Sequence, residues 1–117
     1  MKTQPLSPAW LMCDGKVLAS ADIANTAKSR RRGLIGHTSI DSALVISPCK
    51  WIHTIGMKFA IDVLDIDATG LVVKTEHLEP MRVAAPVRRS KTIVELPSGS
   101  IERFGVRVGD LIEVRSA

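Results

Sequence analysis

Turn signals at short intervals are the feature of this sequence that most limits its fold. Two apolar runs, residues 10–13 and 16–19, flank Asp14-Gly15, a pair that readily adopts the positive φ angles of a two-residue hairpin turn. A second hairpin is predicted to join residues 61–66 to 71–78 through a type I turn. Further strands are predicted at residues 43–46 and 92–96 and after Gly109-Asp110. Many short strands with few helices predict an α+β domain that is mainly β, built as a small barrel-like or strongly curved mixed sheet.

One or two short helices are expected beside this sheet. The first runs from a cap at Asn25 or Thr26 to a stop at Gly33. The second spans residues 101–104 and ends at Gly105. Both are short, so the sheet is expected to supply most of the core.

Clusters of arginine occur in two places. Arg30, Arg31 and Arg32 lie in the last turn of the first predicted helix, where cations complement the negative end of the helix dipole. Arg88 and Arg89 lie in a predicted surface loop that contains proline. A solvated helix end is one interpretation of the first cluster. The other is an anion-binding patch that both clusters form together.

Length and composition indicate one domain. The chain has 117 residues, enough for a single core, and its 45% apolar and 24% charged residues are typical of globular folds. Residues 1–8 are predicted to form a flexible N-terminal arm, and residues 9–117 a single compact domain. The formal net charge of +4 permits an anionic partner without requiring one.

The sequence also limits the compartment and the classes of partner. It contains no stretch of about 20 apolar residues, so no membrane partner is predicted. No secretory signal is recognised, and we expect a cytoplasmic protein. Cys13 and Cys49 are expected to be two thiols, and a disulfide between them is the alternative. Few aromatic rings are available to stack on bases, which disfavours a nucleic-acid partner. These rings belong to Trp10, Trp51, Phe59 and Phe104.

One stretch, residues 49–67, concentrates the groups that could perform chemistry. Cys49, His53 and Met57 are spaced four residues apart, so they could share a face and offer soft ligands to a metal such as Cu(I). No Cys-x-x-Cys pair or second nearby histidine completes a metal set. No third group is evident that would orient a Cys–His nucleophile. The sequence therefore predicts no metal site and no cofactor.

Carboxylates within apolar sequence are the other candidates. Asp62 would share one face of an extended strand with two large aliphatic residues, where a carboxylate must find hydrogen-bond donors. It could be a structural carboxylate that fixes the preceding loop, or a ligand-binding or catalytic one. Glu95 stands between apolar residues and could face it across a pocket. Asp65 and Asp67 lie near the turn and are expected to be solvated.

Four sequence blocks resemble the family known as domain of unknown function 192. They follow the family order at residues 31–36, 49–63, 67–73 and 94–99, the last followed by Gly109-Asp110. An Ile-His-Thr-x-Gly-Met motif at residues 52–57 is similar to one subgroup and replaces the Trp-Met-Lys-Asn-Thr core of many members. The resemblance implies a compact β-rich fold with a helix near the start, and it implies no activity. The matching positions are Gly33, His53, Met57, Asp62, Glu95 and Gly109.

The leading hypothesis is a non-enzymatic binding module for a small ligand or a protein partner. Its cleft would have residues 52–62 as its floor and Glu95 as a wall, with the arginine clusters as a basic rim. The residues predicted to bind ligand are Cys49, His53, Met57, Asp62 and Glu95. The alternative is a small hydrolase or metal-assisted enzyme that uses His53, Asp62 and Glu95. In a third interpretation these residues are purely structural.

Overall fold

Seven strands and one short helix make up the regular structure of the part of the chain described here. The computed structural model describes residues 6–24 and 40–117. In chain order the elements are β1 (Leu6–Cys13), β2 (Lys16–Ala24), β3 (Ala43–Ile46), β4 (Ile61–Ile66), β5 (Val72–Leu78), β6 (Thr92–Pro97), α1 (Ser100–Phe104) and β7 (Ile112–Ser116).

All seven strands belong to one mixed sheet. Their order is β5-β4-β6-β3-β2-β1-β7, and every neighbouring pair is antiparallel except β2 with β3. The two outermost strands meet at one end, where the Val72 N–H donates to the Asp110 carbonyl at 2.8 Å and the Ile112 N–H donates to the Gly70 carbonyl at 2.8 Å. The sheet therefore curls into a half-barrel, and the predicted strongly curved mixed sheet is confirmed.

Strand β4 lies at the centre of the packing, and all six of its residues are buried. Its side chains alternate between two apolar clusters. Leu64 and Ile66 pack in a cluster with Val94 and residues of β1, β2, β3 and β7, whereas Ile61 and Val63 pack in a second cluster on the opposite face. Both faces of the sheet are thus covered at β4. Every position on this strand is an interior position.

The predictions of the two turns and of the second helix agree with the structure. Asp14 and Gly15 have φ angles of 53° and 76° in the turn between β1 and β2, and Gly70 has a φ of 95° in the turn before β5. Helix α1 covers the predicted residues 101–104 and ends at Gly105, which is left-handed. The helix predicted near residue 25 falls, together with Arg30, Arg31 and Arg32, outside the described residues.

Two predictions need correction. Strand β1 begins at Leu6, so Leu6–Pro8 pair with β2 rather than belonging to the arm predicted over residues 1–8. Asp65 is only 3% exposed, because the side of β4 that we expected to face solvent is covered. Burial, helped by the nearby Glu76 carboxylate, raises the pKa of Asp65 to about 6. Asp67 is half-buried, and the Thr69 hydroxyl leads the hydrogen bonds that lower the pKa of its carboxyl group.

Candidate functional site

Two loops on one side of the sheet pair with each other. Residues 50–54 run antiparallel to residues 82–87. The Thr54 N–H donates to the Arg82 carbonyl at 2.8 Å, and the Ala84 N–H donates to the Ile52 carbonyl at 3.2 Å. The Met81 N–H in turn donates to the Thr54 carbonyl at 3.0 Å. The predicted surface loop that contains Arg88 and Arg89 is therefore held in place by backbone hydrogen bonds to residues 50–54.

Thr54 connects the two loops through its side chain as well as its backbone. It is fully buried, and its hydroxyl donates to the Glu79 carbonyl at 2.6 Å and accepts the Arg82 N–H at 2.8 Å. Its carbonyl also accepts the Met57 N–H at 3.1 Å. Sequence reasoning did not single out this residue, because a threonine in a loop gives no local signal that its partners lie 25 or more residues away.

Side chains alternate across the paired loops as they do across a two-stranded ribbon. Ile52, Thr54 and Ala84 point inward and are buried. The residues between them point outward and form what we call the paired-loop face: Trp51, His53, Ile55, Met81 and Val83. Its apolar members are 44% to 60% exposed. The face is therefore a contiguous patch of large apolar side chains, with the imidazole of His53 among them.

Contacts within the paired-loop face hold its side chains together. The rings of Trp51 and His53 have centroids 5.6 Å apart. The Nδ1 atom of His53 accepts the Ile55 N–H at 3.2 Å, which places the ring proton on Nε2. The Met81 sulfur accepts the Gly56 N–H at 3.3 Å. Met81 also has a φ of 63°, a conformation that a non-glycine residue keeps only when its surroundings impose it.

The two segments that form this face are rich in positive charge. The two segments 49–60 and 80–91 contain no aspartate or glutamate, and their six cations, which we call the basic rim, are all exposed. The basic rim consists of Lys50, Lys58, Arg82, Arg88, Arg89 and Lys91. Within residues 6–24 and 40–117, the ion pairs shorter than 4 Å involve other residues. Of the predicted anion patch, only Arg88 and Arg89 can be placed, and both belong to this rim.

Asp62 lies in a different place, on the face of the sheet that carries α1. Its side chain is 5% exposed, and its two oxygens accept the Nδ1–H of His77 and the Ile101 N–H, each at 2.9 Å. The other ring nitrogen of His77 lies 2.7 Å from the Glu79 carboxylate. Hydrogen bonds to Asp62 first, and then to Glu79, raise the pKa of His77, because both carboxylates favour the charged imidazolium.

An open groove of about 420 Å³ runs beside this cluster, between β5 and the start of α1. It is lined by Asp62, Thr75, Glu76, His77, Ser98, Gly99, Ile101 and Glu102. Both ring nitrogens of His77 face carboxylates. No hydroxyl within the described residues hydrogen bonds to the ring. The cluster consequently connects α1 to the sheet without forming a nucleophile–base pair.

Glu95 is separated from Asp62 by the sheet itself. It lies opposite Val63 and Leu44, whereas Asp62 lies opposite Leu96, so the two carboxylates point to opposite faces. Glu95 is 2% exposed, and its Oε1 atom has no hydrogen-bond partner among residues 6–24 and 40–117. Burial raises the pKa of Glu95 to about 7. The expectation that Asp62 and Glu95 face each other across a pocket is therefore wrong.

The remaining predicted ligand residues also separate. Met57 is buried in the cluster that contains Ile61, while His53 points outward. Cys49 is half-buried, and its thiol donates to the Trp51 carbonyl at 3.2 Å. Within the described ranges, no group of three His, Cys, Asp or Glu side chains is suited to hold a metal ion. Cys49, His53 and Met57 thus do not form a common ligand set.

His77 was missed at the sequence level because of a change in strand register. A regular hairpin with the turn 67–70 would place Thr75 opposite Asp62. In the structure Ile66 pairs with Val72, one residue further along than in the regular hairpin, and the irregularity between Asp65 and Ile66 adds a second residue, so that His77 becomes the partner instead. Thr75 and His77 are two residues apart and point to the same face of the sheet, so the alternation of apolar and polar residues cannot distinguish the two registers.

The described residues include no helix that is long and apolar enough to cross a membrane.

Two solved structures share the fold. A protein of unknown function from Novosphingobium aromaticivorans aligns with a TM-score of 0.76 at 15% identity, covering 92% of this chain and 84% of that one. A putative transcription regulator from Sinorhizobium meliloti aligns with a TM-score of 0.76 at 18% identity, covering 97% of each chain. At these identities the likeness concerns the fold alone.

Two proteins that are similar to this chain in sequence are both described as UPF0127 proteins. A UPF0127 protein of Pyrococcus furiosus is 42% identical over 62 residues, which are 53% of this chain and 53% of the relative. A UPF0127 protein of Thermococcus sibiricus is 34% identical over 97 residues, which are 78% of this chain and 63% of the relative. The chain thus matches between half and two thirds of the length of these relatives. The model of the DUF192 family, described as "Uncharacterized ACR", matches residues 9–114. The chain belongs to the DUF192 family.

Proposed function

We propose that this chain is a non-enzymatic binding module that recognises a protein partner through the paired-loop face. The observation that carries the proposal is the outward row of large apolar side chains on the two paired loops, each of them 44% to 60% exposed. Contiguous exposed apolar patches are typical of interaction sites. Tryptophan, methionine and arginine, which occur on or beside this face, are enriched at protein interfaces.

Rigidity of the backbone beneath the face supports the proposal. The buried hydroxyl of Thr54 and the hydrogen bonds between the loops fix both segments before any partner arrives. A preorganised surface loses little conformational entropy on binding, so more of the contact energy appears as affinity. The left-handed Met81 fits this view, because backbone strain tends to persist at binding sites.

The enzyme alternative receives no comparable support. A hydrolase that uses His53, Asp62 and Glu95 needs these groups around one substrate, yet Asp62 and Glu95 point to opposite faces of the sheet. A small ligand in the groove beside Asp62 would meet polar groups that already satisfy one another. A protein partner on the paired-loop face is therefore the better-supported version of the binding hypothesis.

The cytoplasm remains the expected compartment for this module. Cys13 and Cys49 are not joined by a disulfide, which suits a reducing environment. Fractionation of cells that express the chain, followed by detection of the chain in each fraction, tests this expectation.

Site-specific photo-crosslinking in the native host tests the proposed function. A benzophenone side chain is placed at Ile55 or Val83 on the paired-loop face, and at Val17 or Val108 as matched controls that are 56% and 61% exposed. We expect one discrete protein adduct from the face positions and none from the controls. Equal labelling at all four positions, or no adduct from the face, would refute the proposal.

A further inference from the structure

We infer that the partner of the paired-loop face is an acidic protein segment that also carries apolar side chains. This inference rests on the proposed function and names the chemistry of the partner. In the complex, apolar side chains of the segment pack on Trp51, Ile55, Met81 and Val83, while its carboxylates lie over the basic rim.

The distribution of charge is the first argument. The twelve carboxylates of the chain all lie outside segments 49–60 and 80–91, whereas these segments hold six of the sixteen cations. The parts of the chain outside the described ranges contain no aspartate or glutamate, so they cannot supply an acidic side chain to the rim. The two segments therefore supply no carboxylate of their own to the basic rim, and its cations attract a partner of opposite charge.

The two nearest carboxylates leave most of this charge unneutralised. Glu79 precedes the second segment, but its carboxylate is 2.7 Å from the His77 ring. Asp67 lies close enough to Arg89 for the guanidinium to help lower the pKa of its carboxyl group, so this end of the rim is partly neutralised. Lys58 and Arg82, which flank the apolar side chains in sequence, are in no ion pair within the described residues. Lys58 and Arg82 are therefore the cations best placed to form ion pairs with an acidic partner.

The composition of the face favours a protein over other anions. Single-stranded nucleic acid requires a row of stacking rings, and Trp51 is the one exposed aromatic side chain of the face. A membrane would bury the apolar residues among acyl chains, together with the imidazole of His53 in their midst, at the cost of desolvating that ring. A peptide can instead offer His53 a hydrogen-bond acceptor.

Selection from a displayed library of random peptides tests this inference with the intact purified chain. The selections use the wild type, the variant Trp51→Ala/Ile55→Ser that removes the apolar anchors, and the variant Lys58→Glu/Arg82→Glu. A third variant, Lys16→Glu/Arg107→Glu, makes the same change in charge at exposed sites away from the face. Circular dichroism confirms that each variant is folded before it is used.

We expect peptides enriched on the wild type to combine Asp and Glu with large apolar residues. Charge reversal at Lys58 and Arg82 should weaken their binding by at least about tenfold, because like charges across an interface cost several kcal/mol. Binding should also weaken as salt rises from about 0.1 M to 1 M, since the Debye length falls from ~10 Å to ~3 Å. The matched control at Lys16 and Arg107 should bind like the wild type.

Enrichment of neutral or basic peptides that still need Trp51 and Ile55 would overturn the inference and leave the proposed function standing. Enrichment of no face-dependent peptide would also overturn it. If photo-crosslinks from the face are absent as well, the proposed function falls with it. Vesicles of phosphatidylcholine and phosphatidylserine form a further arm, and binding to them that requires the face, without peptide enrichment, would assign the face to a membrane and overturn the inference.

Discussion

Replacing Glu95 with glutamine should remove a large part of the loss of stability that the protein suffers as pH rises. In the folded protein burial raises the pKa of Glu95 from 4.5 to about 7, so the group stays protonated there over a range in which the unfolded chain has released its proton. The folded state then binds more protons than the unfolded state, and the free energy of unfolding falls with rising pH across this window.

The size of this effect follows from the two pKa values. A difference of one pKa unit corresponds to about 1.4 kcal/mol, so the penalty grows to about 3 kcal/mol as the pH rises from 4.5 to about 7 and is constant above that. The carboxyl group is 2% exposed, and solvent does not screen the effect. Glu95→Gln keeps the shape of the protonated acid and cannot ionise.

Urea unfolding at a series of pH values measures the difference between wild type and Glu95→Gln. We expect the two proteins to agree near pH 4.5 and Glu95→Gln to be more stable by about 3 kcal/mol once the pH exceeds about 7. Asp65 and His77, whose pKa values are also raised, lower stability in the same direction, but they are common to both proteins and cancel. Glu113→Gln, at an exposed position, is the control and should show no such divergence. Parallel pH curves for wild type and Glu95→Gln would refute the reasoning.

Three further substitutions test other parts of the structure. Asp62→Ala should lower the free energy of unfolding by about 1–3 kcal/mol, because it removes the acceptor of the Ile101 N–H, and hydrogen exchange should rise in α1. Thr54→Val should cost about 1–3 kcal/mol and increase hydrogen exchange in residues 81–84, which would stay protected if the hydroxyl did not hold the loops. Gly70→Ala should lower the melting temperature, since its Cβ would lie 2.9 Å from the Ile112 carbonyl oxygen at a φ of 95°; an unchanged melting temperature would contradict the close approach of β5 and β7.

Local features of the fold could be predicted because the residues that decide them are neighbours. Asp14-Gly15 determines a tight turn through its own backbone preferences, and the apolar residues of β4 specify a buried strand without reference to the rest of the chain. Asp65 shows the limit of this approach. A carboxylate next to a turn is normally solvated, and only the cover on both faces of β4 makes it an interior residue.

The candidate site depended on pairings between distant parts of the chain. Whether Asp62 and Glu95 share a face is decided by the register of β4 against β6, and a single residue of slippage reverses the answer. The paired-loop face likewise exists because residues near Thr54 hydrogen bond to residues near Arg82. In neither segment do apolar and polar residues alternate regularly enough to predict that contact. The resemblance to a family covers the stretch that contains His53 and does not say which of its side chains are exposed.

The pairing of the first strand with the last one affects how the chain can fold during its synthesis. β1 lies between β2 and β7, with Cys13 opposite Ile112, so one side of β1 has no sheet neighbour until β7 has been synthesised. The nascent chain must therefore keep that strand edge from pairing with other nascent chains while synthesis continues. Contacts so distant in sequence also make closure of the sheet a slow step in folding.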